Sequence, residues 1–184
     1  KSKNMNCLRK NYEHNSKNNY VVSKTKLVFT LIMIFGLLLT KSYAQVDLIT
    51  DEFPEAKQEV METYEAIVQS IKEGDIDRLI SLHAYSPKFT EFKNGEPRND
   101  DEANETYERT VFGDVTEVVK FDANDLQIAV YGDVANVTFH SDFHLKFGED
   151  LVVVNDQISL LFLNTDNGWK IVAEHHSPLN EVNG

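Results

Sequence analysis

The chain has 184 residues and a formal net charge of −12, and the charge is divided unevenly along its length. Residues 1–44 hold eight of the 18 basic residues and a single acid, so the remainder carries a formal charge of −19. A body this acidic repels phosphate backbones and anionic lipid, which argues against binding to nucleic acid or to a membrane surface.

The first 44 residues have the pattern of a secretory leader. Two lysines precede an apolar run at 27–39, which is shorter than the roughly 20 residues that a membrane-spanning helix needs. Small residues, ending in Ala44, then form a signal-peptidase site. We predict cleavage between Ala44 and Gln45, which would export residues 45–184 to the periplasm or the medium without a membrane anchor. An uncleaved anchor is the alternative.

Cysteine is present only as Cys7, inside the predicted leader. The mature domain would therefore have no disulfide, no cysteine nucleophile and no thiolate metal site. About 140 residues remain, which is enough for one hydrophobic core. We expect no cofactor.

Helical periodicity dominates the first part of the domain. Pro54 suits the first turn of a helix, and Gly74 suits its left-handed end. Asp75 can cap a second, shorter helix. A single apolar stripe at helical spacing runs along the first helix and contains Val60, Tyr64, Ile67 and Ile71.

A third helix is predicted from Asn99 or Asp100 to Gly113, with Ala103, Tyr107 and Val111 on one face. The period then changes from 3.6 to 2, which is typical of strands. The predicted strands span 89–93, 115–121, 126–131, 134–147, 151–163 and 169–176. Helices followed by strands indicate an α+β fold, with the helices on one face of a mostly antiparallel sheet.

Two fragments resemble one known superfamily. EGDIDRLISLHA (residues 73–84) resembles the helix-turn-helix of SnoaL-like proteins, in the nuclear transport factor 2-like superfamily, and NGWKIVAEHHS (residues 167–177) resembles their final strand. The element order is similar over residues 54–179. The resemblance implies a cone, in which a curved sheet wraps around three N-terminal helices and leaves a pocket for a small, largely apolar ligand. It also implies a homodimer.

Relatives of this kind include ketosteroid isomerases, cyclases and dehydratases, and also non-enzymatic ligand binders. The resemblance places Glu91 where ketosteroid isomerases hold their carboxylate base. Their two oxyanion-hole donors correspond to Ile67 and to a position near Ser159, so the stabilisation that such donors give an enolate oxygen is missing. Steroid isomerisation is therefore not expected. Another cofactor-free isomerase, lyase or hydrolase remains open.

Alternation along the last strand predicts which side chains face the pocket. Lys170 and Glu174 favour water, so Trp169 and His175 are expected to point inward and His176 outward. His175 would then assist Glu91 as an acid or orienting group. The alternatives without a functional role are a His175 that is hydrogen-bonded within the sheet and a Glu91 that is exposed at the surface. The predicted ligand contacts are Tyr64, Tyr85, Phe89, Tyr107 and Trp169, which are otherwise core aromatics.

His140, Asp142 and His144 alternate on one face of a predicted strand, about 6.8 Å apart from one to the next. Two imidazoles and a carboxylate are a plausible zinc or iron set. Neighbouring Asn136 and Thr138 continue the same polar face, which is typical of the outer side of a sheet. We therefore predict no metal. Three functional hypotheses follow: a ligand-binding module, a cofactor-free enzyme, or a structural dimerisation domain with a filled pocket.

Overall fold

The structure is a computed structural model that describes residues 47–179. The predicted leader, its apolar run at 27–39 and the cleavage site after Ala44 lie outside the described residues. None of the helices between residues 47 and 179 has the length and apolar character that crossing a bilayer requires.

Three helices precede most of the sheet: α1 (Pro54–Glu73), α2 (Ile76–Ser81) and α3 (Asp101–Gly113). Gly74 ends α1 in the left-handed conformation, with a φ of 68°. The side chain of Asp75 accepts the backbone N–H of Arg78 at the start of α2, and that of Asp100 accepts the N–H of Ala103 at the start of α3. The predicted end of α1 at Gly74 and the predicted caps of α2 and α3 are confirmed. The N-cap predicted for α1, Thr50 or Asp51, is wrong, because Phe53 occupies that position and no side chain caps the helix.

Seven strands form one sheet: β1 (Thr90–Lys93), β2 (Glu96–Pro97), β3 (Glu117–Tyr131), β4 (Val134–Phe147), β5 (Asp150–Val154), β6 (Asp156–Thr165) and β7 (Gly168–Pro178). Their order is β2-β1-β7-β6-β4-β3, and β5 pairs with β4 beside this path. Only the β1–β7 pair of this sheet is parallel. The predicted α+β class is confirmed, with a curved sheet that is not closed into a complete barrel.

The predicted strand at 151–163 is divided into β5 and β6. Ser141, on the facing strand β4, explains the break. Its hydroxyl donates to the carbonyl of Val154 at 3.0 Å and accepts the N–H of Asp156 at 2.8 Å. These bonds satisfy the backbone groups where the ladder is interrupted, so the chain continues as two separate strands.

The last strand, β7, contains a β-bulge. Ala173 pairs with Leu161 and Ile171 pairs with Phe162, so Val172 is one extra residue in β7. Such an insertion exchanges the two faces of a strand for every residue beyond it, because side chains alternate with a period of two.

The faces predicted for β7 are therefore right before the bulge and wrong after it. Trp169 is buried, as expected. Beyond Val172 the order is inverted: Glu174 is buried, His176 is half-buried and His175 is exposed. The expected inward position of His175 is thus corrected to Glu174 and His176.

One hydrophobic core joins α1 to the inner face of the sheet. Its members come from α1, α2, β3, β4, β6 and β7 and from Phe89, which precedes β1. Those with under 3% of their surface exposed are Val60, Leu79, Phe89, Ala135, Val137, Ile158, Phe162 and Ile171. Trp169 ties the sheet to α1, because its indole Nε1 donates to Glu59 Oε2 at 3.0 Å.

Candidate functional site

The helices and the inner face of the sheet surround a cavity of about 290 Å³. Aliphatic side chains from α1 and β6 line much of it. The aromatic lining consists of Tyr64, Tyr107, Phe112, Phe121, Phe139, Phe143 and Phe147. The rings of Phe121 and Phe143 are stacked with centroids 3.7 Å apart. A concave apolar cavity with a few polar groups is the usual form of a small-molecule site.

Four ionisable side chains meet at this cavity and are called the polar cluster here: His83, Glu108, Glu174 and His176. His83 follows α2, Glu108 lies on α3, and the other two lie on β7. The apolar lining comes mainly from α1, β3, β4, β5 and β6. The cavity therefore has a polar wall near β7 and an apolar remainder.

His83 lies between two hydrogen-bond acceptors. Its Nδ1 is 3.0 Å from the backbone oxygen of Leu79, and its Nε2 is 3.0 Å from Glu174 Oε1. Burial alone would lower the pKa of His83, but the hydrogen bond and the charge of Glu174 outweigh it and raise the pKa. His83 is accordingly an imidazolium, with a proton on each ring nitrogen.

Glu174 receives a hydrogen bond on each carboxylate oxygen. Oε1 binds His83, and Oε2 is 3.2 Å from Nε2 of His176. Burial alone would raise the pKa of Glu174, but the hydrogen bonds from His176 and His83 hold the pKa well below its ordinary value. Glu174 is therefore a carboxylate at neutral pH, and both imidazoles donate to it.

His176 uses its Nε2 proton on Glu174, which leaves Nδ1. Across residues 47–179, this Nδ1 is the one buried side-chain nitrogen or oxygen without a hydrogen-bond partner. A neutral imidazole has one donor nitrogen and one acceptor nitrogen. Because Glu174 accepts the Nε2 proton, it selects the tautomer in which Nδ1 is the acceptor.

Glu108 is the second carboxyl group of the cluster and is 7% exposed. Burial, followed by the charge of Glu174, raises the pKa of Glu108 to about 8, against the opposing charges of His83 and Lys93. The group is mostly protonated at pH 7. It therefore offers an O–H donor as well as an acceptor.

The predicted face of α3 is wrong by one position. Ala103 is exposed, whereas Asn104 and Glu108 are the buried residues of this helix. Tyr107 and Val111 do line the cavity. Asn104 is buried because Glu91 and Tyr85 supply hydrogen-bond partners for it, which an apolar stripe in the sequence cannot reveal.

Glu91, the predicted base, points inward as expected but lies behind the cavity wall. Its carboxylate is fully buried and accepts Asn104 Nδ2 at 2.8 Å and Arg98 at 3.4 Å. Burial and the charge of Glu174 raise its pKa. With His175 on the exposed face, the structure does not bring Glu91 and His175 together at the cavity.

The five predicted ligand contacts separate into two groups. Tyr64 and Tyr107 line the cavity. The other three have partners in the protein. Tyr85 donates to Asn104 Oδ1 at 2.6 Å and stacks on the His83 ring, Phe89 is 1% exposed in the core, and Trp169 is bonded to α1.

The alternative metal set lies on the outer side of β4. Asp142 is bonded there to Lys120 and, at 2.9 Å, to Nε2 of His144. His140 faces Asp125 instead, at 3.6 Å. Between residues 47 and 179, no group of three or more His, Cys, Asp or Glu side chains has an arrangement that could hold a metal ion.

Comparison with known proteins identifies the family. Residues 60–181, more than half of the chain, match the SnoaL-like domain family model. The chain belongs to the SnoaL-like domain family. This agrees with the resemblance of residues 73–84 and 167–177. No curated protein matches this SnoaL-like chain at a significant level.

Solved structures share the fold of this SnoaL-like domain. A nuclear transport factor 2-like superfamily protein from Salmonella enterica is 21% identical, with a TM-score of 0.60, and the alignment covers 71% of this chain and 96% of that one. A protein of the same superfamily from Streptomyces avermitilis is 20% identical, with a TM-score of 0.62 and coverage of 68% and 97%. At these identities the likeness concerns the fold alone.

Proposed function

We propose that this SnoaL-like domain binds a small, largely apolar molecule whose polar part contacts the polar cluster. The observation that carries the proposal is the cavity itself, which is aromatic and aliphatic except at one wall. Its volume of about 290 Å³ is near the lower limit of typical ligand pockets, roughly 300–1,000 Å³, so the ligand is small.

We further propose that the domain is exported after removal of residues 1–44 and is a homodimer. An apolar patch on the outer face of the sheet supports the dimer. Tyr131, Val134 and Leu163 lie side by side on β3, β4 and β6, each 36–42% exposed. Apolar surface of this kind on a sheet marks an interaction site when it is contiguous.

Native mass spectrometry of the exported protein tests these proposals together. We expect a dimer of chains that begin at Gln45, with a small molecule retained. Val111→Trp, which fills the cavity, should lose the ligand, whereas the same change at the exposed Val119 should keep it. A ligand-free wild-type spectrum would support a structural dimerisation domain instead, and a retained 27–39 segment would contradict export by cleavage.

An acid–base enzyme is the second candidate, because a protonated carboxyl, Glu108, and an imidazole nitrogen without a partner, His176 Nδ1, line the same cavity. A carboxyl whose pKa is raised by burial is typical of a catalytic acid. His176 Nδ1 would take a proton from a carbon next to a ketone, while Glu108 gives its proton to the ketone oxygen. The product is an enol, and the reverse steps restore both groups. This pair replaces Glu91 and His175.

Exchange of the α-protons of 1-phenylpropan-2-one in D₂O, followed by NMR, tests this candidate without knowledge of the natural substrate. We expect the protein to accelerate exchange. Glu108→Gln and His176→Gln should each slow it about 100-fold, while Glu108→Gln still binds the ketone and His175→Gln behaves like the wild type. If exchange is no faster than in buffer, the enzyme hypothesis is contradicted and only the ligand-binding function remains.

A further inference from the structure

The polar cluster has two hydrogen-bonding groups that the protein leaves unused. One is Nδ1 of His176, a buried acceptor without a partner within residues 47–179. The other is the carboxyl of Glu108, which lines the cavity and makes no hydrogen bond with another side chain between residues 47 and 179. A buried polar atom left unpaired costs about 1–3 kcal/mol, so a ligand that pairs Nδ1 removes this cost, and one that also reaches the Glu108 carboxyl gains a second hydrogen bond.

We propose that the ligand is an uncharged molecule with a hydroxyl beside a carbonyl, a hydroxy ketone on an apolar ring or chain. Its hydroxyl donates to His176 Nδ1, and its carbonyl accepts from Glu108. This inference rests on the proposed binding function and names the chemistry of its ligand. It uses the donor and the acceptor of the polar cluster, which line the same cavity as the stacked phenylalanines.

The charges that face the cluster favour a neutral ligand. His83 and Glu174 compensate one another at 3.0 Å, and Glu91 is compensated by Arg98. A carboxylate on the ligand would meet the lone pair of His176 and the charge of Glu174. An ammonium would meet the imidazolium of His83. Either charge would also lose its hydration in an apolar cavity.

Lys93 is the remaining cation of the cavity lining, and it faces Tyr107. Its Nζ lies 5.6 Å from the centroid of that ring, on which the Arg98 guanidinium also stacks at 3.8 Å. A cation held over a ring face in this way is already partly stabilised. An anionic ligand directed by Lys93 is the competing chemistry, and the experiment separates the two.

Four probes of similar size distinguish the possibilities by titration calorimetry with the mature protein at pH 7. They are 2-hydroxy-1-phenylethanone, acetophenone without the hydroxyl, 1-phenylethanol without the carbonyl, and mandelate with a carboxylate. We expect the hydroxy ketone to bind about tenfold more tightly than acetophenone or 1-phenylethanol, as one additional satisfied hydrogen bond predicts. Mandelate should bind most weakly.

Variants assign the preference to the two groups. His176→Phe should remove the tenfold preference, and the matched change at the exposed neighbour, His175→Phe, should keep it. Glu108→Leu should remove the preference for the carbonyl, whereas Glu108→Gln retains an N–H donor and keeps it. In the wild type, affinity for the hydroxy ketone should fall above about pH 8, where Glu108 loses its proton. Glu108→Gln should remove that dependence.

Several results would overturn the inference. Equal affinities for the three neutral probes would overturn it while the binding function stands. If mandelate is the tightest probe, the inference is also overturned, because that result indicates an anionic ligand directed by Lys93. If none of the four probes binds but the native mass spectrum shows a retained ligand, the inference is overturned and the binding function stands. If none of the four binds and no ligand is retained, the binding function is contradicted as well. If His176→Phe does not fold, the order of the probes on the unmodified protein decides.

Discussion

Glu174→Gln is expected to lower the free energy of unfolding by about 3–5 kcal/mol at pH 7, the range for removing one partner of a buried ion pair. The change leaves the imidazolium of His83 buried, with 2% of its side chain exposed and no carboxylate beside it. It also removes the acceptor that orients His176. Urea denaturation followed by circular dichroism measures the effect.

Two further variants make this result specific. Glu149→Gln, in the exposed turn between β4 and β5, should change the free energy of unfolding by less than about 0.5 kcal/mol. The double variant His83→Gln, Glu174→Gln removes both charges and should recover part of the loss, because neither partner is then left as an isolated ion. A loss below about 1 kcal/mol for Glu174→Gln would contradict the ion pair.

Glu108→Gln is expected to stabilise the protein at alkaline pH, by about 2 kcal/mol or more at pH 8. Burial raises the pKa of Glu108 to about 8 in the folded state, from an ordinary value of 4.5. Between these values the folded state binds more protons than the unfolded state, so the free energy of unfolding of the wild type falls as the pH rises. The neutral amide cannot ionise and avoids this loss.

Urea denaturation at pH 5, 6, 7 and 8 measures the difference between Glu108→Gln and the wild type. The difference should grow from pH 5 to pH 8. His83 also has a raised pKa, which makes stability decline with rising pH, and the hydrogen bond and charge of Glu174 that mainly raise it are present in both proteins. Glu102→Gln, on an exposed turn of the same helix, should run parallel to the wild type. Parallel curves for Glu108→Gln would show that its carboxyl is not held protonated.

The fold could be predicted from the sequence because its signals are local. Gly74 and Asp75 mark the junction of α1 and α2 through backbone conformation and capping, which depend on neighbouring residues only. Alternation of apolar residues gave β4 its bounds for the same reason. The split between β5 and β6 was missed because it depends on Ser141, which faces the break from another strand.

The site could not be predicted in the same way because its residues are defined by distant partners. Glu174 was expected in water, as an isolated glutamate would be, but it is paired with His83, which is 91 positions away in the chain. Glu108 was missed because a polar residue on a helix is expected to face solvent unless a buried polar partner is known. Glu91, which the resemblance placed at the position of a carboxylate base, is buried, but the structure places it outside the cavity.

The bulge at Val172 has a consequence for how homologous sequences should be compared. Two adjacent histidines, His175 and His176, differ only in which side of the wall they occupy, and one inserted residue upstream decides this. In a homologue without that insertion, the histidine that faces the cavity would be the one aligned with His175, one column earlier than His176. Matching such columns by letter alone would then transfer a role to the histidine that faces solvent.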